Sequence, residues 1–183
     1  MVVCISLGVV SVLIWLGILL HPARPWDFQP VGDDGELPPA PAVWPSVCIL
    51  APARNESESL PHTLPALLTQ DYPGAFSVVV IDDRSQDGTA AVAQAIAKEC
   101  GAENRLTVIL GAPLPPGWVG KVWALAQGAA HCGLRAVDED SSLAPRPAPL
   151  VSLPKYLLLT DADIRHSRHS LRRLVGESES KQL

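Results

Sequence analysis

Between residues 46 and 175 short apolar, β-branched runs alternate with segments of helical period, and this alternation restricts the fold more than any other feature. The strand-like runs are residues 46–50, 76–81, 106–110 and 156–159. Between the first two, Leu60, Leu64, Leu67 and Leu68 recur at helical spacing. Between the next two, Val92 and Ile96 share one face of an alanine-rich stretch over residues 89–100, stopped by Gly101. Residues 121–130 and 167–175 continue the series as further helices. Strands and helices alternating over short connections demand parallel strands joined by crossover helices. The expected class is therefore α/β, a mostly parallel sheet with helices on both faces.

Flanking segments set the organisation. From residue 2 to residue 20 no charged side chain occurs, and such a run in helical form spans roughly the ~30 Å hydrocarbon core. No positive n-region precedes it, and His21-Pro22-Ala23-Arg24-Pro25 is a poor cleavage site, so residues 1–21 read as an uncleaved transmembrane anchor. Arg24 follows closely while no positive residue precedes, which predicts an inner (cytoplasmic) membrane protein whose domain faces the cytoplasm. Residues 22–45, rich in proline, glycine and acids, read as an extended linker. Residues 131–155, containing Asp138-Glu139-Asp140, read as a surface insertion, and residues 176–183 as a polar tail.

Several function classes are excluded. A net charge of −5, a pI near 5.4 and no basic stripe argue against nucleic acid as a partner. Cys4, Cys48, Cys100 and Cys132 form no CxxC pair or zinc spacing, and read as small buried hydrophobes in a reducing compartment. Gly120-Lys121 is not a P-loop, because Pro115 stands where the first glycine belongs and Val122 where Ser or Thr belongs. Neither G-x-G-x-x-G nor G-x-S-x-G occurs. His166 and His169 read as exposed polar residues rather than metal ligands, since no cysteine or third histidine lies near.

In an open parallel sheet, ligands bind outside the carboxyl ends of the strands. Three of the four expected strands end there in polar residues: Arg54-Asn55-Glu56, then Asp82-Asp83-Arg84-Ser85, then Thr160-Asp161-Ala162-Asp163. Asp161 and Asp163 present hard oxygen ligands to Mg²⁺ or Mn²⁺; alternatively one caps the next helix and the other is solvated. Asp82 and Asp83 adjoin, so their side chains diverge; one reaches a ligand, or the run merely turns into the following helix. Lys121, at a helix start, offers a cation beside free backbone N–H groups and suits a diphosphate.

Three segments in this order resemble the N-terminal half of family 2 glycosyltransferases with the GT-A fold. They are Val47-Cys48-Ile49-Leu50-Ala51-Pro52-Ala53-Arg54-Asn55-Glu56, Val80-Ile81-Asp82-Asp83-Arg84-Ser85-Gln86-Asp87-Gly88-Thr89, and Leu158-Leu159-Thr160-Asp161-Ala162-Asp163. Pro115-Pro116-Gly117-Trp118-Val119-Gly120-Lys121-Val122-Trp123-Ala124 is similar to the hopene-associated subgroup. The resemblance implies a membrane-anchored transferase that uses a nucleotide-sugar, a UDP-sugar first, and a divalent cation, Mg²⁺ or Mn²⁺, with a hopanoid lipid as acceptor. It places Arg54, Asp82 and Asp83 near the base and ribose, Lys121 near the uracil or diphosphate, and Asp161 and Asp163 as the D-x-D motif, with Asp163 the direct metal ligand. It covers residues 46–175; the family's acceptor half, with its aspartate base and Q-x-x-R-W segment, has no counterpart here, which predicts a truncated donor-binding region whose general base is unassigned. The competing expectation is a tethered nucleotide-binding remnant without turnover. A nucleotidyltransferase fits less well, because Ala51-Pro52-Ala53-Arg54-Asn55 holds no glycine. So does a phosphotransfer domain, because Leu110-Gly111-Ala112 holds no aspartate.

Overall fold

The computed structural model describes residues 2–20, 37–134 and 153–181, with side chains from residue 8 onward. Residues 22–36 of the expected linker (22–45) and most of the expected insertion, including Asp138-Glu139-Asp140, lie outside the described residues. The chain divides into two compact units, Met1–Gly35 and Glu36–Leu183.

The first unit holds helix α1, Val2–Leu19, of 18 residues. At a rise of 1.5 Å per residue it is about 27 Å long. Among the described residues no helix is long and apolar enough to cross a membrane. The expected transmembrane anchor is thereby corrected, and the membrane localisation built on it falls with it.

In the second unit the order is β1 (Val47–Ala53), α2 (Leu60–Leu68), β2 (Phe76–Asp82), α3 (Thr89–Glu99), β3 (Leu106–Leu110), α4 (Gly120–His131), β4 (Tyr156–Leu159) and α5 (Ser170–Ser180). The sheet order is β3-β2-β1-β4 and every pairing is parallel. The first two crossovers step outward from β1 in one direction. The third returns across the sheet to the far side of β1, and right-handedness then sends α4 over the opposite face.

Side-chain alternation follows from this arrangement. Val47, Ile49, Val78 and Val80 face α2, α3 and α5, packing on Leu60, Leu64, Leu67, Ile96, Leu171 and Val175. Cys48, Leu50, Val79 and Ile81 face α4, packing on Ala124 and Cys132. With both faces covered, the central strands are apolar throughout instead of alternating with polar residues. Helix α4 lies close against the sheet because Gly128 has no side chain. A Cβ there would stand 2.9 Å from Ile81 Cδ1 and 3.3 Å from Leu50 Cδ2.

The largest boundary differences from the sequence reading are at β1 and α5, the others being of one residue. Strand β1 runs to Ala53 because its pairing with β2 continues as far as Ala53 with Asp82. Helix α5 starts at Ser170 and takes in residues 176–180. Glu179 anchors that end, accepting from Tyr156 Oη and Lys155 Nζ, each at 2.7 Å.

Candidate functional site

The order β3-β2-β1-β4 has its switch point between β1 and β4, where successive crossovers leave on opposite faces and open a crevice. Backbone pairing of these two strands ends with Thr160 N–H donating to Leu50 O at 3.1 Å, while β1 continues beside β2. Beyond that point the chain following β4 separates from β1. Pro52, Arg54 and Glu56 of the β1 exit, Asp83 of the β2 exit, Gly120 and Lys121 of α4, and Asp161 and Asp163 of the β4 exit line a cleft of about 370 Å³ there, a size suited to a small ligand.

The two adjoining aspartates part company. Asp82 turns inward, is 5% exposed, and accepts from Ser85 N–H at 2.8 Å. Asp83 turns to the cleft, its Oδ2 3.6 Å from Arg54 Nη1. Gly111 makes this crossing possible: a Cβ there would lie 3.1 Å from Asp82 O and 3.3 Å from Asp83 Cα. Lys121 Nζ forms an ion pair with Asp161 Oδ1 across the cleft, both side chains about half exposed. Asp163 is exposed and lines the same cleft. Thus Arg54, Asp83, Lys121, Asp161 and Asp163 come together, whereas Asp82 serves the loop that carries Asp83.

Supporting residues come from well outside the three motif segments. Thr63 of α2, buried at 4% exposure, donates from Oγ1 to Ala162 O at 2.6 Å. It thereby fixes the turn between the two cleft aspartates. His166 Nε2 lies 2.7 Å from Thr160 Oγ1, holding the same turn from its other end. His169 contacts Asp71 Oδ2 at 3.1 Å. Both histidines are half-buried instead of exposed, because the turn that carries them is bonded to Gln70 and Asp71, just past α2. On the opposite side, Gln127 Oε1 accepts from Ala112 N–H at 2.6 Å and Trp123 Nε1 donates to Ala112 O at 3.1 Å. These bonds tie α4, and so Lys121, to the exit of β3.

The loops after β1 and β2 are clipped to each other. Asn55 N–H donates to Ser85 Oγ, Glu56 N–H to Thr89 Oγ1 and Ser57 N–H to Asp87 Oδ2, each at 2.9 Å. Gln86 N–H returns a bond to Asn55 Oδ1 at 2.9 Å. Asn55 and Arg84 take left-handed conformations, φ 56° and 60°, to make this fit, unusual for arginine at a cost of order 1–3 kcal/mol. The hydrogen bonds from Thr89 and from Ser57 hold the Asp87 carboxyl well below the usual carboxylate range.

Two predictions follow from this framework. Thr63→Val keeps the side chain's volume but leaves the Ala162 carbonyl without its donor, and is expected to cost about 1–3 kcal/mol in urea unfolding. Burial pushes the His166 imidazole below its ordinary value. Its contribution to stability is therefore complete above the unfolded value of about 6.5 and is lost as pH falls through the lower folded value. Unfolding midpoints measured between pH 7.5 and 5 should decline for the wild type, with a shallower decline for His166→Gln.

Residues 48–182 match the pattern of glycosyl transferase family 2. The chain belongs to that family. Two curated relatives are each named N-acetylglucosaminyltransferase. The one from Mesorhizobium japonicum is 34% identical over 125 residues, 66% of this chain and 27% of its own length. The one from Rhizobium leguminosarum bv. viciae is 34% identical over 104 residues, 55% of this chain and 23% of its own. The chain thus spans about a quarter of the length of these relatives. Among solved structures, a mannosyltransferase from Pyrobaculum calidifontis in complex with GDP-Man and Mn²⁺ superposes with a TM-score of 0.55 at 23% identity, over 85% of this chain and 37% of that one. S. aureus TarS superposes with a TM-score of 0.52 at 20% identity, over 75% and 20%. At these identities the likeness is one of fold, and the fold is GT-A, as the resemblance implied.

Proposed function

We propose that the cleft binds the donor of a sugar transfer, a UDP-sugar, and that a divalent cation, Mg²⁺ or Mn²⁺, joins it at Asp161 and Asp163. The observation that carries this reading is the convergence of Arg54, Asp83, Lys121, Asp161 and Asp163 on one cleft from three strand exits and a helix start. Asp83, steadied by Arg54, is suited to accept from a base N–H or a ribose hydroxyl. Lys121 and the first N–H groups of α4 favour the diphosphate, since Val119 at that helix start makes no side-chain capping bond.

Among the described residues no group of three or more His, Cys, Asp or Glu side chains could hold a metal ion. The two carboxylates nevertheless fit a cation of this kind, because Mg²⁺ usually takes one or two carboxylates and completes its shell with water and substrate phosphates. The Lys121 ammonium on Asp161 is an observed cation at one of these carboxylates. The ion, when bound, neutralises charge developing on the leaving diphosphate.

The names of the two curated relatives support N-acetylglucosamine as the first sugar to try. A hopanoid lipid hydroxyl as acceptor rests on the similarity of the segment from Pro115 to Ala124 alone. The test is UDP release from UDP-N-acetylglucosamine with Mn²⁺ and a hopanoid alcohol. Acceptor-dependent release supports the transferase; nucleotide binding without release, whatever the acceptor, leaves the donor-binding module as the reading.

A further inference from the structure

Cys48 lies on β1 and Cys132 caps the end of α4, and their sulfur atoms approach to 2.6 Å across 84 residues of sequence. The two residues are 1% and 0% exposed and belong to the core on the α4 face of the sheet. A disulfide bond is about 2.05 Å long. Closing this contact therefore asks for a shift of about half an ångström, with both side chains already on facing elements. From this juxtaposition we infer that Cys48 and Cys132 form a modification site, a thiol pair that a low-molecular-weight disulfide converts into an intramolecular cystine joining β1 to α4.

The chemistry balances by two exchanges. When the last turn of α4 opens, the Cys132 thiolate attacks one sulfur of the reagent, whose S–S bond breaks and releases one thiolate. The Cys48 thiolate then attacks the Cys132 sulfur of the mixed disulfide and expels the second. The protein loses two electrons and two protons, and the reagent becomes two thiols. While both thiols are reduced and packed together, the hydrogen bond between them holds Cys48 below its ordinary value and, with burial, holds Cys132 above its own, so Cys132 becomes an attacking thiolate only after its turn has opened. That opening is fraying of a helix end, which must break the closing bonds from Gly133 N–H to Ala130 O and from Leu134 N–H to Ala129 O, each at 3.0 Å.

The position determines the consequence. Cys48 is at the start of β1 and Cys132 at the C-terminal end of α4, whereas Arg54 and Lys121 stand at the opposite ends of the same two elements. The cystine therefore restrains the unfolded chain over a long loop without touching the cleft. Closing a loop of 84 residues raises the melting temperature by roughly 5–15 °C on the chain-entropy account.

The experiment is incubation of the native protein with oxidised glutathione, followed by peptide mass mapping, thermal melting and UDP titration. The expected result is a Cys48–Cys132 cross-linked peptide, a rise in melting temperature reversed by dithiothreitol, and a UDP dissociation constant unchanged within about twofold. In Cys132→Ser the rise should vanish. Reduced Cys48 and Cys132 after prolonged incubation, or glutathione adducts in place of the cross-link, overturn the inference. So does a rise in melting temperature that survives in Cys132→Ser. The cross-linked peptide and the rise in melting temperature do not depend on whether UDP binds, so the cystine and the donor site fail separately.

Discussion

Asp163→Ala is expected to lower Mn²⁺-dependent affinity for UDP by about two orders of magnitude while leaving the unfolding midpoint unchanged. Asp163 is exposed, lines the cleft, and lies beyond the buried Ala162 that anchors the turn, so its removal leaves no hole and breaks no packing. What it removes, on the proposed function, is a carboxylate of the cation site, and truncating one partner of such a charge pair costs about 2–5 kcal/mol, at 1.4 kcal/mol for each tenfold. Asp161→Ala should act in the same direction and also free Lys121 from its ion pair. Asp82→Ala should behave oppositely. Its carboxylate caps the Ser85 turn from inside the fold, so that variant loses stability first and affinity only as the Asp83 loop loosens. Titration calorimetry and urea unfolding on the three variants separate these cases; equal losses of affinity with no change in stability would place Asp82 in the cleft and contradict the structure.

Leu50→Ala is expected to cost about 2–5 kcal/mol, a large part of the 5–15 kcal/mol that holds a domain together. Leu50 sits on the central strand, fully buried, under the glycine that lets α4 approach. Neighbouring backbone cannot collapse into the space, because both β2 and β4 pair with this strand. The midpoint in urea should fall with little change in slope, the signature of lost stability without a change in the surface exposed on unfolding. Gly128→Ala strains the same interface from the other side, driving a methyl group against Ile81, and should cost less, about 1–3 kcal/mol. A Leu50→Ala midpoint equal to the wild type would mean that α4 does not pack on the sheet as described.

Much of the domain was legible because its physics is local. Buried parallel strands must be apolar throughout, and crossover helices must be amphipathic, so the runs at 76–81, 106–110 and 156–159 announced themselves. The cleft was legible in outline because polar clusters at the ends of apolar strands have few structural alternatives. Which of Asp82 and Asp83 faces it was not, since the strand's pleat leaves the choice to the packing of Gly111 against the strand end. Thr63 left a faint signal, a hydroxyl on the apolar face defined by Leu60, Leu64 and Leu67, but its partner lies 99 residues away. Gln127 and Trp123 left none, because their bonds to Ala112 depend on how α4 crosses the sheet. The N-terminal reading erred for another reason: absence of charge says nothing of where a helix stops, and α1 ends at Leu19.

The most direct measurement is calorimetric titration of UDP into the chain with and without Mn²⁺. The account predicts binding that strengthens at least tenfold when Mn²⁺ is present, because diphosphate and cation complete each other's coordination at Asp161 and Asp163. A folded chain that binds UDP equally well without the metal, or not at all, would contradict it.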